Sequence, residues 1–195
     1  MITLCMDTSH IYLVLGLIKD GKLIDSYCEP CHKQQSEKIF PELIQLLEKN
    51  HISQDEIGEV VITKGPGSYT GVRIAMTIAK VLCATKNLPL YTIGTLRLYA
   101  GDENGRVLLD ARGNRAYTAV YQDGKEVEAA NVKYLEDIQD DLKIIGDGEL
   151  IGKETYYPNL AVNFLKVKKD WHLEENVHTV VPEYLKEREA YFVKK

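Results

Sequence analysis

The sequence predicts an α/β protein of two lobes that repeat one β-β-β-α-β-α order, the second lobe reduced. Three observations lead there. The chain opens with three short apolar runs between polar turns, Ile2–Met6, Ile11–Ile18 and Leu23–Tyr27, the pattern of a strand meander. Two landmarks of that opening return at one spacing: Asp7-Thr8-Ser9 and Asp20-Gly21-Lys22 are followed, 103 residues later, by Asp110-Ala111-Arg112 and Asp123-Gly124-Lys125. Recurrence at one offset marks an internal duplication; Asp-Gly-Lys is a common turn, so chance competes, but the strands around both landmarks match as well. Third, Val60 to Lys86, VVITKGPGSYTGVRIAMTIAKVLCATK, reads as a buried strand, a glycine turn and a long helix.

The elements follow in order. Asp20-Gly21 closes a hairpin. Ser36–Lys49 reads as a helix, with Pro41 marking a helix start or a kink. Val60–Thr63 is a β-branched strand. Gly65-Pro66-Gly67-Ser68 turns the chain, and Ser68 or Thr70 caps a helix that runs to about Lys86. Leu88–Ile93 closes the first lobe, residues 1–100; Gly101–Gly105 is the joint, and residues 101–195 make the second lobe. There Val107–Leu109, Ala116–Tyr121 and Glu126–Val132 repeat the three strands. Leu135–Leu142 has room for a short helix only, Lys143–Ile145 is a strand, and Gly146-Asp147-Gly148 stands where the first glycine turn stood. Glu149–Pro158 is too short and polar for a second long helix, and the stretch with Trp171, Pro182 and Tyr184 reads as irregular.

Composition excludes several classes. A net charge of −5 argues against direct binding of nucleic acid, which needs a clustered basic face. No apolar run approaches the ~18 residues of a membrane helix. Asp7 interrupts the first apolar run, so no secretory signal is read and the expected location is the cytoplasm. Cys5, Cys28, Cys31 and Cys83 are then most simply free thiols.

Both long helices carry more apolar surface than one buried face needs. The first has Ile39, Phe40, Leu43, Ile44, Leu46 and Leu47; the second is apolar nearly all round, with only Arg73, Thr77 and Lys80 as a polar stripe. Gly71, Ala75, Ala79 and Cys83 repeat every four residues as a ridge of small side chains, the kind that lets another helix come close. One side of these helices must cover a sheet; the other wants a helix from this chain or a partner.

The DTS turn, HKQQSEKIFPELIQLLEK, GPGSYTGVRIAMTIAK, the LP before the next strand, LLDAR and a closing PEYL together resemble the TsaB (YeaZ) family. The likeness covers most of the chain, is densest from Ile2 to about Arg112, and rests above all on GPGSYTGVRI. It implies the actin-like ATPase fold (ASKHA, ribonuclease H-like). It implies a role in making threonylcarbamoyladenosine beside the tRNA anticodon, as the non-catalytic paralogue of TsaD, joined by the small ATPase TsaE. Pairing in that family uses the two first-lobe helices.

Several chemistries compete with that reading. In the implied fold ATP sits between the lobes, and Asp7, Thr8, Ser9 and Asp110 are weak candidates to face its phosphates and metal; alternatively both aspartates merely close turns. GPGSYTG opens a helix and could cradle a phosphate, but it is not a Walker A loop. The His-x-x-x-His pair of the catalytic paralogue falls on Thr95 and Tyr99, which cannot replace imidazole ligands. Cys28-Glu29-Pro30-Cys31-His32 matches a haem-attachment pattern, yet lies between a strand and a helix and reads as a loop with free thiols, a zinc half-site or redox pair being the rival.

The expectation is therefore a non-enzymatic scaffold subunit with no cofactor, no metal and no catalytic residue. Its partner interface is Ile39, Phe40, Leu43, Leu47, Gly71, Val72, Ala75, Met76, Ala79 and Cys83. The partners are a TsaD-like paralogue and a TsaE-like ATPase, with a homodimer when alone and tRNA reached only through the complex. The alternative is an autonomous ATP-binding phosphotransferase.

Overall fold

A computed structural model describes residues 1–31, 33–139 and 141–186. β1 (Ile2–Asp7) is mostly apolar and buried from end to end because it lies inside a sheet covered on both faces. β2 (Tyr12–Lys19) runs antiparallel to it, and β3 (Lys22–Pro30) forms the edge. Asp20 and Gly21 between them both take positive φ, 51° and 73°, as a two-residue hairpin turn of this hand requires. α1 (Gln35–Lys49) keeps Pro41 within its length. β4 (Ile57–Thr63) lies parallel to β1, and α2 (Tyr69–Lys86) follows, capped by Ser68 and stopped by left-handed Asn87. β5 (Leu90–Ile93) pairs parallel with β4, and α3 (Thr95–Ala100) leads out.

The second half repeats the strands. Adding 103 to the bounds of β1 and β2 gives those of β6 (Gly105–Asp110) and β7 (Arg115–Gln122). β8 (Lys125–Tyr134) follows a turn in which Asp123 and Gly124 again have positive φ. β9 (Ile144–Gly146) lies parallel to β6 as β4 does to β1. α4 (Leu160–Lys166) and the short β10 (His172–Leu173) complete the described elements. Among the described residues the sheets run β10-β5-β4-β1-β2-β3 and β8-β7-β6-β9. This is a duplicated α/β fold with a reduced second lobe.

The repeat is not exact in register. Asp7 stands opposite Val14, so an offset of 103 would set Asp110 opposite Tyr117; instead Leu109 faces Tyr117 and Asp110 faces Ala116. A slip of one residue sends side chains to the opposite face of a sheet. Asp7 shares its face with Cys5, between the sheets; Asp110 shares its face with Leu108, away from them. The two aspartates are equivalent in sequence and not in space.

Three corrections concern the second half. Among the described residues of Leu135–Leu142 the short helix is a single 3-10 turn, Leu135–Asp137, since the apolar residues are too few to bury an α-helix face. The stretch after Pro158 is irregular only in part: Trp171, Pro182 and Tyr184 lie outside helix and strand, but Asn159 caps α4 by accepting from Val162 N, and Phe164 and Leu160 bury fully. Nor do all of residues 101–195 belong with the second sheet. β10 pairs with β5 of the first, and Val177 and Val180 pack into the first sheet's helix-side core.

That core lies between the sheet and α1 and α2, built on Leu4, Met6, Leu15, Ile62, Val72 and Ala79. A second core fills the space between the two sheets, where α3 and α4 insert Tyr99, Leu160 and Phe164 against Val61, Val107 and Tyr117. A small third cluster, with Leu108 and Ile138, closes the far face of the second sheet.

Candidate functional site

The glycine turn before α2 is a junction with the first turn of the chain. Ser68 N donates to Ser9 O at 2.7 Å, and Gly65 O accepts from Thr95 N at 2.7 Å. A Cβ on Gly67 would run into the Ser9 carbonyl, and one on Gly71 into that of Thr8; only glycine permits so close an approach. Ser68 Oγ accepts from Gly71 N, so of the two caps the sequence offers, Ser68 and Thr70, Ser68 is the one used.

The candidate turn Asp7-Thr8-Ser9 is wholly buried. Asp7 Oδ1 accepts from Ser9 N at 2.9 Å and from Thr63 Oγ1 at 2.5 Å. Burial raises the Asp7 pKa, and these hydrogen bonds only partly offset it. Thr8 Oγ1 donates to Gly71 O at 2.6 Å and accepts from Ala75 N at 3.1 Å. The hydroxyl thus bridges the two ends of one i→i−4 step of α2 and locks the helix to β1. Asp110 is exposed; its Oδ1 accepts from Arg112 N at 2.6 Å and its own N donates to Asp147 Oδ2 at 2.6 Å.

Burial within the chain sorts the residues of the expected interface. Ile39, Leu43, Leu47, Gly71, Val72, Ala75, Met76, Ala79 and Cys83 are buried within the chain itself. Of the ten, Phe40 alone is open, at 54% exposure. The small ridge does not await another helix: Gly71 and Ala75 are held by Thr8, and Cys83 and Ala79 lie in the helix-side core. The reason is periodic. The residues of greatest apolar regularity are those that face the sheet, and the surplus lies beside them. That surplus is Phe40 and Ile44 (53% exposed), one turn apart on α1, with exposed Val81 and half-buried Ile74, Ile78 and Leu82 on the neighbouring α2.

The polar stripe of α2 is occupied by the C-terminal segment. Arg73 Nε donates to Tyr184 Oη at 2.8 Å, and Tyr184 stacks on Tyr69 at 5.2 Å. Lys80 Nζ donates to the carbonyls of His178 and Val180 at 3.0 and 2.8 Å. Sequence reasoning missed this strap because its contacts span about a hundred residues.

Thr95 and Tyr99 lie on α3 and are buried. Among the described residues no group of three or more His, Cys, Asp or Glu side chains could hold a metal ion. Burial pushes the Cys28 and Cys83 thiols up to about 11 and raises Cys5 and Cys31, which makes all four poor nucleophiles. His32, the last residue of the C-x-x-C-H motif, lies outside the described residues. No described helix is long and apolar enough to cross a membrane.

Residues 28–172 match the family described as TsaD, tRNA N6-adenosine threonylcarbamoyltransferase. The chain belongs to the TsaD family. The tRNA threonylcarbamoyladenosine biosynthesis protein TsaB of Bacillus subtilis is 33% identical over 129 residues, 63% of this chain and 56% of that protein. TsaB of Escherichia coli is 33% identical over 140 residues, 65% of this chain and 60% of that one. The matches thus span less than two thirds of these relatives' length. YeaZ from Pseudomonas aeruginosa superposes with a TM-score of 0.72 at 20% identity, over 94% of this chain and 99% of that one. The shared fold thus extends through the reduced second lobe.

Proposed function

We propose that the chain is a non-catalytic scaffold subunit of the cytoplasmic machinery that attaches threonylcarbamoyl to adenosine beside the tRNA anticodon. The outer surface of α1 and α2 docks a TsaD-type catalytic subunit, and the first lobe, residues 1–100 with the returning strap, carries that surface. The reading is supported by membership of the TsaD family and carried by one observation: the two long helices expose large apolar side chains, Phe40 and Ile44 one turn apart on α1 and Val81 on α2. Exposed apolar patches of this kind mark interaction surfaces. Alone, the chain covers them by pairing with a second copy. A TsaE-type ATPase joins the pair, and tRNA is reached through the complex, as the net charge of −5 favours. The non-catalytic role is supported by α3 and α4, whose Tyr99 and Phe164 fill the space between the sheets, and by the burial of Asp7.

The test is a double variant, Phe40→Asp with Val81→Arg. It is expected to keep the wild-type circular dichroism spectrum and to elute as a monomer, alone or mixed with a TsaD-type subunit. Undiminished pairing would overturn the assignment of the face. Reconstitution with that subunit, tRNA and the ATPase is expected to yield the modified adenosine only when the wild-type chain is present.

A further inference from the structure

The turn Gly146-Asp147-Gly148 has no part in the proposed docking, yet it is among the most constrained in the molecule. Asp147 N donates to Leu108 O at 2.8 Å, and Gly146 exchanges hydrogen bonds with Tyr156. A Cβ on Gly146 would meet the Leu108 carbonyl and one on Gly148 that of Glu154. The backbone therefore cannot draw back, and the Asp147 side chain is delivered into the seam between the sheets, 9% exposed.

Three groups from three parts of the chain meet it there. Asp110 N, at the end of β6, donates to Oδ2 at 2.6 Å. Tyr157 Oη, in the segment before α4, donates to Oδ1. His10 Nε2, in the β1–β2 turn of the other sheet, stands 2.9 Å from Oδ2, off the line of a directed hydrogen bond. His10 is as enclosed as Asp147, and the rings of Tyr99 and Tyr157 pack against it at 6.1 and 6.3 Å.

We infer that the backbone of Asp110, the hydroxyl of Tyr157 and the imidazole edge of His10 form a niche for a small carboxylate, and that the chain fills it with its own Asp147. Two carboxylate oxygens shared among converging donors, one of them a backbone N–H, are what a protein offers a free anion. Here the anion is covalently part of the host. Two things follow: the niche is closed to outside anions in the native chain, and one carboxylate joins a turn of the first sheet to the end of β6 in the second. The inference stands on this geometry alone, whatever partner α1 and α2 take.

Truncating the guest while keeping the host tests it. Asp147→Ala leaves the half-buried Asp110 N–H and Tyr157 hydroxyl without their acceptor, and its melting temperature is expected to fall by roughly 4–8 °C. Sodium formate, titrated against sodium chloride at equal ionic strength, is expected to restore most of that loss saturably. The wild type is expected not to respond, and adding His10→Ala to the variant is expected to weaken the restoration. A native-like Asp147→Ala protein that formate does not stabilise, or a wild type that formate stabilises equally, overturns the inference. Should Asp147→Ala fail to fold, the isosteric Asp147→Asn decides by NMR. The Asp110 amide proton, downfield in the wild type through its bond to a carboxylate, is expected to move upfield; an unchanged shift overturns the inference.

Discussion

The outer faces of the two sheets start from the same strands and end differently. Over the first, Leu4, Met6, Leu13, Leu15 and Leu17 form an apolar floor beneath two long helices. Over the second, the corresponding face carries Arg106, Leu108, Ala116, Thr118 and Val120, beneath two 3-10 turns, Leu135–Asp137 and Gly148–Ile151. Part of that cover is ionic. Arg106 Nη1 donates to Thr118 Oγ1 and to Glu128 Oε1, and Nη2 to Glu128 Oε2, each at 3.0 Å, with Lys133 on the same carboxylate at 2.8 Å. A duplicated strand frame tolerates either cover. A helical layer adds a second, outward surface, whereas a charged clamp and two turns close the face.

The comparison can be broken by substitution. The largest effect is expected from Ala79→Glu on α2: Ala79 is wholly buried, so the carboxylate would enter the core unpaired, at a cost of about 4 kcal/mol or more. Circular dichroism is expected to show no cooperative fold, and a folded variant would mean that α2 can lift off its sheet. Next comes a matched pair. Leu15→Ala under the helices is expected to cost about 3–4 kcal/mol in urea unfolding, against about 1 for Val120→Ala under the turns, where the thin cover relaxes. Equal losses would erase the distinction between the faces.

Thr8→Val is expected to cost about 1–3 kcal/mol, because it leaves Gly71 O and Ala75 N without the bridging hydroxyl. Its signature is faster hydrogen exchange at Ala75 than at Ala79, and no change there would deny Thr8 its role. The smallest effect concerns acid. Hydrogen bonds from Arg106, then Lys133, hold the Glu128 carboxyl down at about 2, against 4.5 for a free glutamate. A lowered folded-state pKa gives stability that is present above about 4.5 and lost as pH falls toward 2. Glu128 is near a third exposed, so about 1–2 kcal/mol is expected after solvent screening. Melting temperature should decline less between pH 4.5 and 2 in Glu128→Gln than in the wild type.

Local chemistry made much of the frame legible. The strand runs, the Asp-Gly turns at 20 and 123, the Ser68 cap and the spacing of 103 are written in neighbouring residues, and the strands follow them. The signal for α4 was present too, in Asn159 after Pro158 with apolar residues at 160, 161, 164 and 167. β10 was not legible, since two residues carry no period and pair only because β5 offers an edge.

The sequence by itself determined that two similar strand sets alternate with two long amphipathic helices in the first half, because turn propensity and hydrophobic period act over a few residues. Only the tertiary structure decided which helix face meets the sheet, how β6 slips one residue against β7, where the C-terminal strap lies, and which carboxylate closes the seam. Each of those is a choice between surfaces far apart in the chain, settled by fit between packed faces.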